Sequence, residues 1–61
     1  MVTLTFIPGP SVKQTIKAIK DTIEINLRDA RDAIELQRVQ CKDEDRQRLI
    51  DAIEVVGGMV M

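Results

Sequence analysis

Two stretches of helical periodicity, residues 12–23 and 27–35, leave this chain few ways to fold. In the first stretch, apolar residues are separated by four, three and four positions: Val12, Ile16, Ile19 and Ile23. That spacing places them along one side of an α-helix. Ser11 is a favourable N-cap for such a helix. The pattern predicts a helix over residues 12–23 with this stripe buried.

The second stretch repeats the pattern and predicts a helix over residues 27–35. Asn26 is its N-cap, and Asp29 places acid in the first turn, where the helix dipole favours negative charge. The chain turns between the two helices at a polar corner, residues 24–26. The buried stripe of this helix is predicted to consist of Leu27, Ala30, Ala33 and Ile34.

Strands are predicted at both ends of the chain and before the last helix. Residues 2–7 alternate apolar residues with threonine until the Pro-Gly-Pro segment at 8–10 stops the strand. A short edge strand is expected at about residues 38–41, a helix over residues 44–56 and a final strand over 59–61, with Gly57 as the glycine after the helix. The predicted fold class is α+β, in the order β-α-α-β-α-β, with the helices layered on one face of a small sheet.

Composition excludes several classes of function. The chain has no histidine and one cysteine, which are too few ligands for a zinc or haem site, so no metal and no cofactor is expected. A formal net charge of −1 and a single aromatic residue argue against nucleic-acid binding. No apolar run approaches the length needed to cross a bilayer, and no signal peptide is apparent. A cytoplasmic protein without a membrane contact is expected.

No arrangement of residues typical of an active site is present, so the chain is not expected to be an enzyme. Cys41 is the one potential nucleophile, and it lacks a histidine to act as its base. Lys42 beside it is expected to lower the pKa of the thiol somewhat. Packing as a small apolar residue is the more ordinary role for Cys41.

Charged residues mark a candidate surface on the two helices. Lys13, Lys17 and Lys20 recur at helical spacing and are expected on the side opposite the apolar stripe. A solvated face without function is the alternative explanation for these lysines. The pairs Arg28–Asp32 and Arg31–Glu35 are spaced for weak ion pairs along the second helix.

Over residues 12–35 the chain resembles the C-terminal domain of the bacterial ribosomal stalk protein, which recruits GTPase translation factors. IKAIK at residues 16–20 resembles that domain's IKAVR, and LRDARDAIE at 27–35 resembles its LKEAKDLVE. The similarity resumes at residues 42–45 and continues through Leu49 and residues 52–54 to a glycine and a short strand. The resemblance implies three helices packed on a three-stranded antiparallel sheet.

The resemblance also implies a protein-binding surface on the first two helices, with an exposed leucine flanked by cations. The residues that it assigns to this surface are Lys17, Lys20, Leu27, Arg28, Asp29 and Arg31. The implied partner is a translation GTPase factor, with another host protein as the alternative. The chain departs from the family at Val12, where a basic residue is expected, and at the corner, where Asp21, Glu24 and Asn26 replace a glycine-rich segment.

A stand-alone copy of such a domain would act as an adaptor or as a decoy that competes with the ribosome-bound original, and a phage is a plausible source. The alternative is a structural homodimer, because a short chain gains stability by sharing a core and the terminal strand leaves an edge that can pair.

Overall fold

The computed structural model describes all 61 residues and contains three α-helices and a three-stranded antiparallel sheet in the predicted order, β-α-α-β-α-β. A single 3-10 turn, Asp43–Asp45, precedes the last helix. The elements are β1 (Val2–Ile7), α1 (Val12–Ile23), α2 (Leu27–Leu36), β2 (Arg38–Cys41), α3 (Arg46–Val55) and β3 (Met59–Val60).

The sheet has the strand order β2-β1-β3, so the first strand is central. β1 pairs antiparallel with β2 through Leu4 opposite Val39, and with β3 through Phe6 opposite Val60. Alternation along β1 follows the predicted pattern, because Leu4 and Phe6 are buried whereas its threonines are exposed. One face of the sheet therefore carries the core, and the other face has no helix on it.

The three helices cover the apolar face of the sheet. α1 packs against both α2 and α3, α2 packs against β2, and α3 packs against β3. Four large side chains are completely buried where these layers meet, namely Phe6, Ile19, Leu49 and Ile53. The helix layer therefore has α1 at its centre, between α2 and α3.

The ends of some elements differ from the predicted bounds. The third helix was expected to begin at residue 44, but the acidic residues 43–45 form the 3-10 turn and the α-helix begins at Arg46. α2 extends by one residue to Leu36. β3 covers two residues rather than three, although the amide of Met61 still donates to the carbonyl of Thr5 at 2.8 Å.

Polar side chains and a glycine define where the helices begin and end. The hydroxyl of Ser11 accepts from the amide of Gln14 at 3.3 Å, and Oδ1 of Asn26 accepts from the amide of Asp29 at 2.8 Å. Gly57 has a φ of 86°, and the next amide, that of Gly58, donates to the carbonyl of Ile53 at 2.9 Å. This left-handed ending turns the chain from α3 into β3.

The turn between β1 and α1 is held by a buried threonine that the sequence pattern did not identify. Thr15 is completely buried, and its hydroxyl donates to the carbonyl of Ser11 at 3.0 Å while accepting from the amide of Gly9 at 3.3 Å. Gly9 itself lies against the carbonyl of Val56 at the end of α3. The first turn of α1 and the end of α3 are thus joined through residues 8–10.

Replacing Gln37 with glycine is expected to stabilise the protein by about 1 kcal/mol. Gln37 ends α2 in the left-handed region with a φ of 57°, where a side chain is sterically unfavourable and glycine is not. Gln47→Gly, at an exposed position in the first turn of α3, is the matched control and should cost up to about 1 kcal/mol, because glycine is a poor helix former and the bond from Gln47 to Asp51 is lost. Urea denaturation would measure both, and a loss of stability in Gln37→Gly would contradict the prediction.

Candidate protein-binding groove

An open groove of about 530 Å³ lies between α1 and α2. α1 supplies five of its residues and α2 supplies two. Three of the seven are apolar and four are basic: Val12, Lys13, Ile16, Lys17, Lys20, Leu27 and Arg31. We call this set the α1–α2 groove.

The apolar part of the groove consists of Val12, Ile16 and Leu27. Val12 is 50% exposed and Leu27 is 51% exposed, whereas Ile16 is half-buried. Helical periodicity predicted that all three would be covered by the core, and for Val12 and Leu27 that prediction is wrong. The exposure of Leu27 that the resemblance implied is confirmed. Leucine and valine side chains with half their surface in water provide apolar area that a partner can bury.

The positions of the buried residues explain this exposure. The buried side of α2 is centred between Ala30 and Ala33, and at about 100° per residue Leu27 lies about 90° from that centre. The buried side of α1 is formed by Thr15 and Ile19, the fourth and eighth residues of the helix. Val12 is the first residue of α1, ahead of the part of the helix that the core covers.

The lysines of α1 lie beside the apolar stripe rather than opposite to it. At about 100° per residue, Lys13, Lys17 and Lys20 are centred about a quarter turn from the stripe. They therefore line the same groove as Val12 and Ile16. The sequence-based expectation of a separate lysine face on the far side of α1 is wrong, and the correction places positive charge next to exposed apolar surface.

No carboxylate lines the groove, and its four cations have no ion-pair partner. The structure contains two ion pairs, between the N-terminus and Asp43 and between Arg48 and Asp45. Neither Arg31–Glu35 nor Arg28–Asp32, which the spacing suggested, forms one. The groove contains four of the nine basic residues of the chain. The other five basic residues and the ten acidic residues give the rest of the chain a net charge of −5. The molecule is therefore electrically polarised.

Four of the six residues assigned to a binding surface from the sequence line the groove: Lys17, Lys20, Leu27 and Arg31. Arg28 and Asp29 are exposed on α2 but do not line it. Val12, Lys13 and Ile16 also line the groove but were not predicted to do so, because Val12 and Ile16 were assigned to the core. The sequence feature that could have identified these groove residues is the alternation of apolar and basic residues at 12, 13, 16 and 17.

The corner between the helices leaves the groove open. Glu24 adopts the left-handed conformation with a φ of 54°, and its amide donates to the carbonyl of Lys20 at 2.9 Å, which ends α1. None of Asp21, Glu24 and Asn26 lines the groove. These side chains, which depart from the stalk-protein pattern, therefore do not neutralise the groove cations by direct contact.

Cys41 lies outside the groove and is buried beneath the helices. Burial raises the pKa of its thiol, and the negative charges of Asp45 and Asp43 raise the pKa further. The expectation that Lys42 would lower this pKa is wrong, because burial and these carboxylates outweigh the neighbouring positive charges. A thiol that stays protonated is a poor nucleophile, and it packs here as an apolar residue.

Comparisons with known proteins return no match, whether to a protein-family model, to a curated protein or to a solved structure. None of the three helices combines the length and apolar character needed to cross a bilayer. No cluster of three or more cysteine, aspartate or glutamate side chains is placed to hold a metal ion. The groove itself offers apolar contact and positive charge.

Proposed function

We propose that this chain is a non-enzymatic protein-binding module whose α1–α2 groove binds an acidic protein surface that presents an apolar side chain. The observation that carries the proposal is the arrangement of the groove, in which half-exposed Val12 and Leu27 are surrounded by four unpaired cations and no carboxylate. An apolar centre with a charged rim is the usual composition of a protein interface.

The two kinds of groove residue would contribute differently to binding. Burying Leu27 and Val12 against a partner supplies free energy through the hydrophobic effect, and a central anchor of this kind is where large losses on alanine substitution are found. The cations attract an acidic partner over a longer range and chiefly raise the association rate. We therefore expect affinity for the partner to fall as salt concentration rises.

The proposed partner is a translation GTPase factor, and the chain would act as a free adaptor or as a decoy. This step rests on the resemblance of residues 12–35 to the stalk-protein domain. It is supported by the position of Lys17, Lys20 and Leu27, which the resemblance assigns to the binding surface and which lie together in the groove. A free copy of a factor-binding domain would compete with the ribosome-bound one for the same factor.

The test is titration of purified translation GTPases with the wild-type chain and with the double variant Leu27→Ala, Lys17→Ala. We expect the double variant to lose affinity by about 30-fold or more, because it removes the apolar anchor and one rim charge. Both side chains are exposed, so circular dichroism should show an unchanged fold.

Val55→Ala, Lys42→Ala is the matched control, since it removes an exposed valine and a lysine away from the groove. This control should bind like the wild type. Equal binding by the groove variant would refute the groove as the site. Failure of the wild-type chain to bind any translation GTPase would refute the proposed partner.

A further inference from the structure

The strand β2 presents an open edge with unpaired backbone groups. β2 lies at the edge of the sheet and pairs only with β1. The amide of Phe6 donates to the carbonyl of Gln37, the residue just before β2, at 2.9 Å. The backbone groups of Phe6 and Gln37 therefore point toward each other. In an antiparallel pair the bonded positions alternate, so Val39 and Cys41 direct their N–H and C=O groups toward β1. Arg38 and Gln40 direct theirs away from the sheet.

Hydrogen bonding on the other side of β1 supports this assignment. Thr5 lies opposite Arg38, and the carbonyl of Thr5 accepts from the amide of Met61 on the β3 side. The backbone N–H and C=O groups of Thr5 therefore point away from β2, as the alternation requires. By the same alternation, the backbone groups of its partner Arg38 point toward the open edge. The edge thus offers two amide donors and two carbonyl acceptors, from Arg38 and Gln40.

The surface beside this edge is partly apolar and accessible. Leu36, at the end of α2, is 60% exposed and lines a hollow at the edge together with Thr3, Arg38, Val39 and Gln40. The other edge of the sheet, β3, has only two residues. β2 is therefore the longer of the two edge strands, whereas the sequence suggested the terminal strand as the pairing edge.

We propose that the open edge of β2 pairs with the β2 strand of a second copy of this chain, antiparallel and centred on Val39. In this register Arg38 of each copy lies opposite Gln40 of the other, and their outward backbone groups form four hydrogen bonds across the two-fold axis. The two three-stranded sheets become one sheet of six strands. The proposal does not depend on the function proposed for the groove.

Charge selects this register over its neighbours. Only registers that place outward-facing residues opposite each other form hydrogen bonds, so the alternatives are centred on Arg38 or on Gln40. A register centred on Arg38 places the Arg38 side chains of the two copies directly opposite each other. A register centred on Gln40 places Arg38 of each copy opposite Lys42 of the other. Like charges directly opposite each other on a sheet are destabilising. The register centred on Val39 is the one of these three that has no such pair.

The paired assembly would present both α1–α2 grooves on the same side. Residues directly opposite each other in an antiparallel pair point to the same face of the sheet. Val39 points toward the helices in each copy, because it is buried in the core. Both helix layers therefore lie on one face, with the two α2 helices nearest the axis, since α2 packs over β2.

Substitution of Gln40 tests the register, because opposite charges should change dimerisation in opposite directions. Gln40→Glu places a carboxylate opposite Arg38 in two symmetric pairs and should tighten the dimer by about two- to thirty-fold. Gln40→Lys creates two like-charge pairs and should weaken the dimer by a similar factor. Gln47→Glu and Gln47→Lys, on the exposed face of α3, make the same changes in net charge and should leave dimerisation unchanged.

Sedimentation equilibrium from micromolar to millimolar protein would measure the dimer, and amide hydrogen exchange would locate it. We expect the amides of Arg38 and Gln40 to exchange rapidly in dilute protein and to gain protection as the dimer forms. The amides of Val39 and Cys41 should be protected at every concentration. A monomer at all concentrations would overturn the proposal, as would a dimer in which the amides of Arg38 and Gln40 stay unprotected.

Discussion

Gly9→Ala is expected to remove most or all of the protein's folding stability at room temperature. A Cβ atom at position 9 would lie 2.1 Å from the carbonyl oxygen of Val56 and 3.0 Å from the carbonyl carbon of Gly57. Both atoms belong to the backbone at the end of α3, which cannot rotate away as a side chain could. To remove the overlap, the turn at residues 8–10 must separate from α3.

That separation would break more than one contact. The amide of Gly9 donates to the hydroxyl of Thr15, which is completely buried, so moving the turn leaves a buried hydroxyl with one partner fewer. We expect a cost of about 3 kcal/mol or more from the combined strain and lost packing. A core of this size supplies only about 3–5 kcal/mol, so little stability would remain.

Far-UV circular dichroism and urea denaturation would measure the effect of Gly9→Ala. Pro8→Ala is the control, because it alters the same turn without adding an atom against α3. It should cost no more than about 1 kcal/mol, chiefly by increasing the entropy of the unfolded chain. A Gly9→Ala protein with a wild-type urea midpoint would show that the turn and α3 separate without cost.

Phe6→Ala is also expected to unfold the protein. Phe6 is the one aromatic residue, it is completely buried, and it lies on the central strand in one cluster with Ile19, Leu49 and Ile53. Truncating a buried phenylalanine costs about 3–5 kcal/mol, through lost burial and the cavity that remains. This loss is about as large as the whole stability expected for a chain of this length.

Two further variants distinguish loss of core volume from disturbance of the strand. Phe6→Leu keeps most of the apolar volume and should remain folded, at a cost of about 1–1.5 kcal/mol. Thr5→Ala, at the neighbouring exposed position, should change stability by less than about 1 kcal/mol. Thermal unfolding of the three variants should therefore rank Thr5→Ala, Phe6→Leu and Phe6→Ala in order of decreasing stability.

These stability effects can be separated from the binding effects expected for the groove. Gly9 and Phe6 lie where α1, α3 and the sheet meet, whereas Leu27 and Lys17 are exposed. Variants of the groove should therefore change affinity at a constant urea midpoint. Variants at Gly9 and Phe6 should lose binding only to the extent that they unfold.

The order of elements and most of their bounds follow from local patterns in the chain. The strand at residues 2–7 and the helix at residues 12–23 have the predicted ranges. Alternation with period two and apolar spacing of three and four each specify one backbone geometry. The side chains of Ser11 and Asn26 begin helices because they accept hydrogen bonds from backbone amides of the first turn. Gly57 ends α3 because a residue without a side chain readily adopts the left-handed conformation.

The exposure of particular apolar residues depends on contacts between elements. Spacing shows which side chains share a side of a helix, but neighbouring elements determine how much of that side is covered. Here Thr15 is buried and Val12 is exposed, although the pattern assigned Val12 to the core and gave no role to Thr15. The groove, the close approach at Gly9 and the open edge of β2 arise in the same way. Each depends on residues distant in sequence, which only packing brings together.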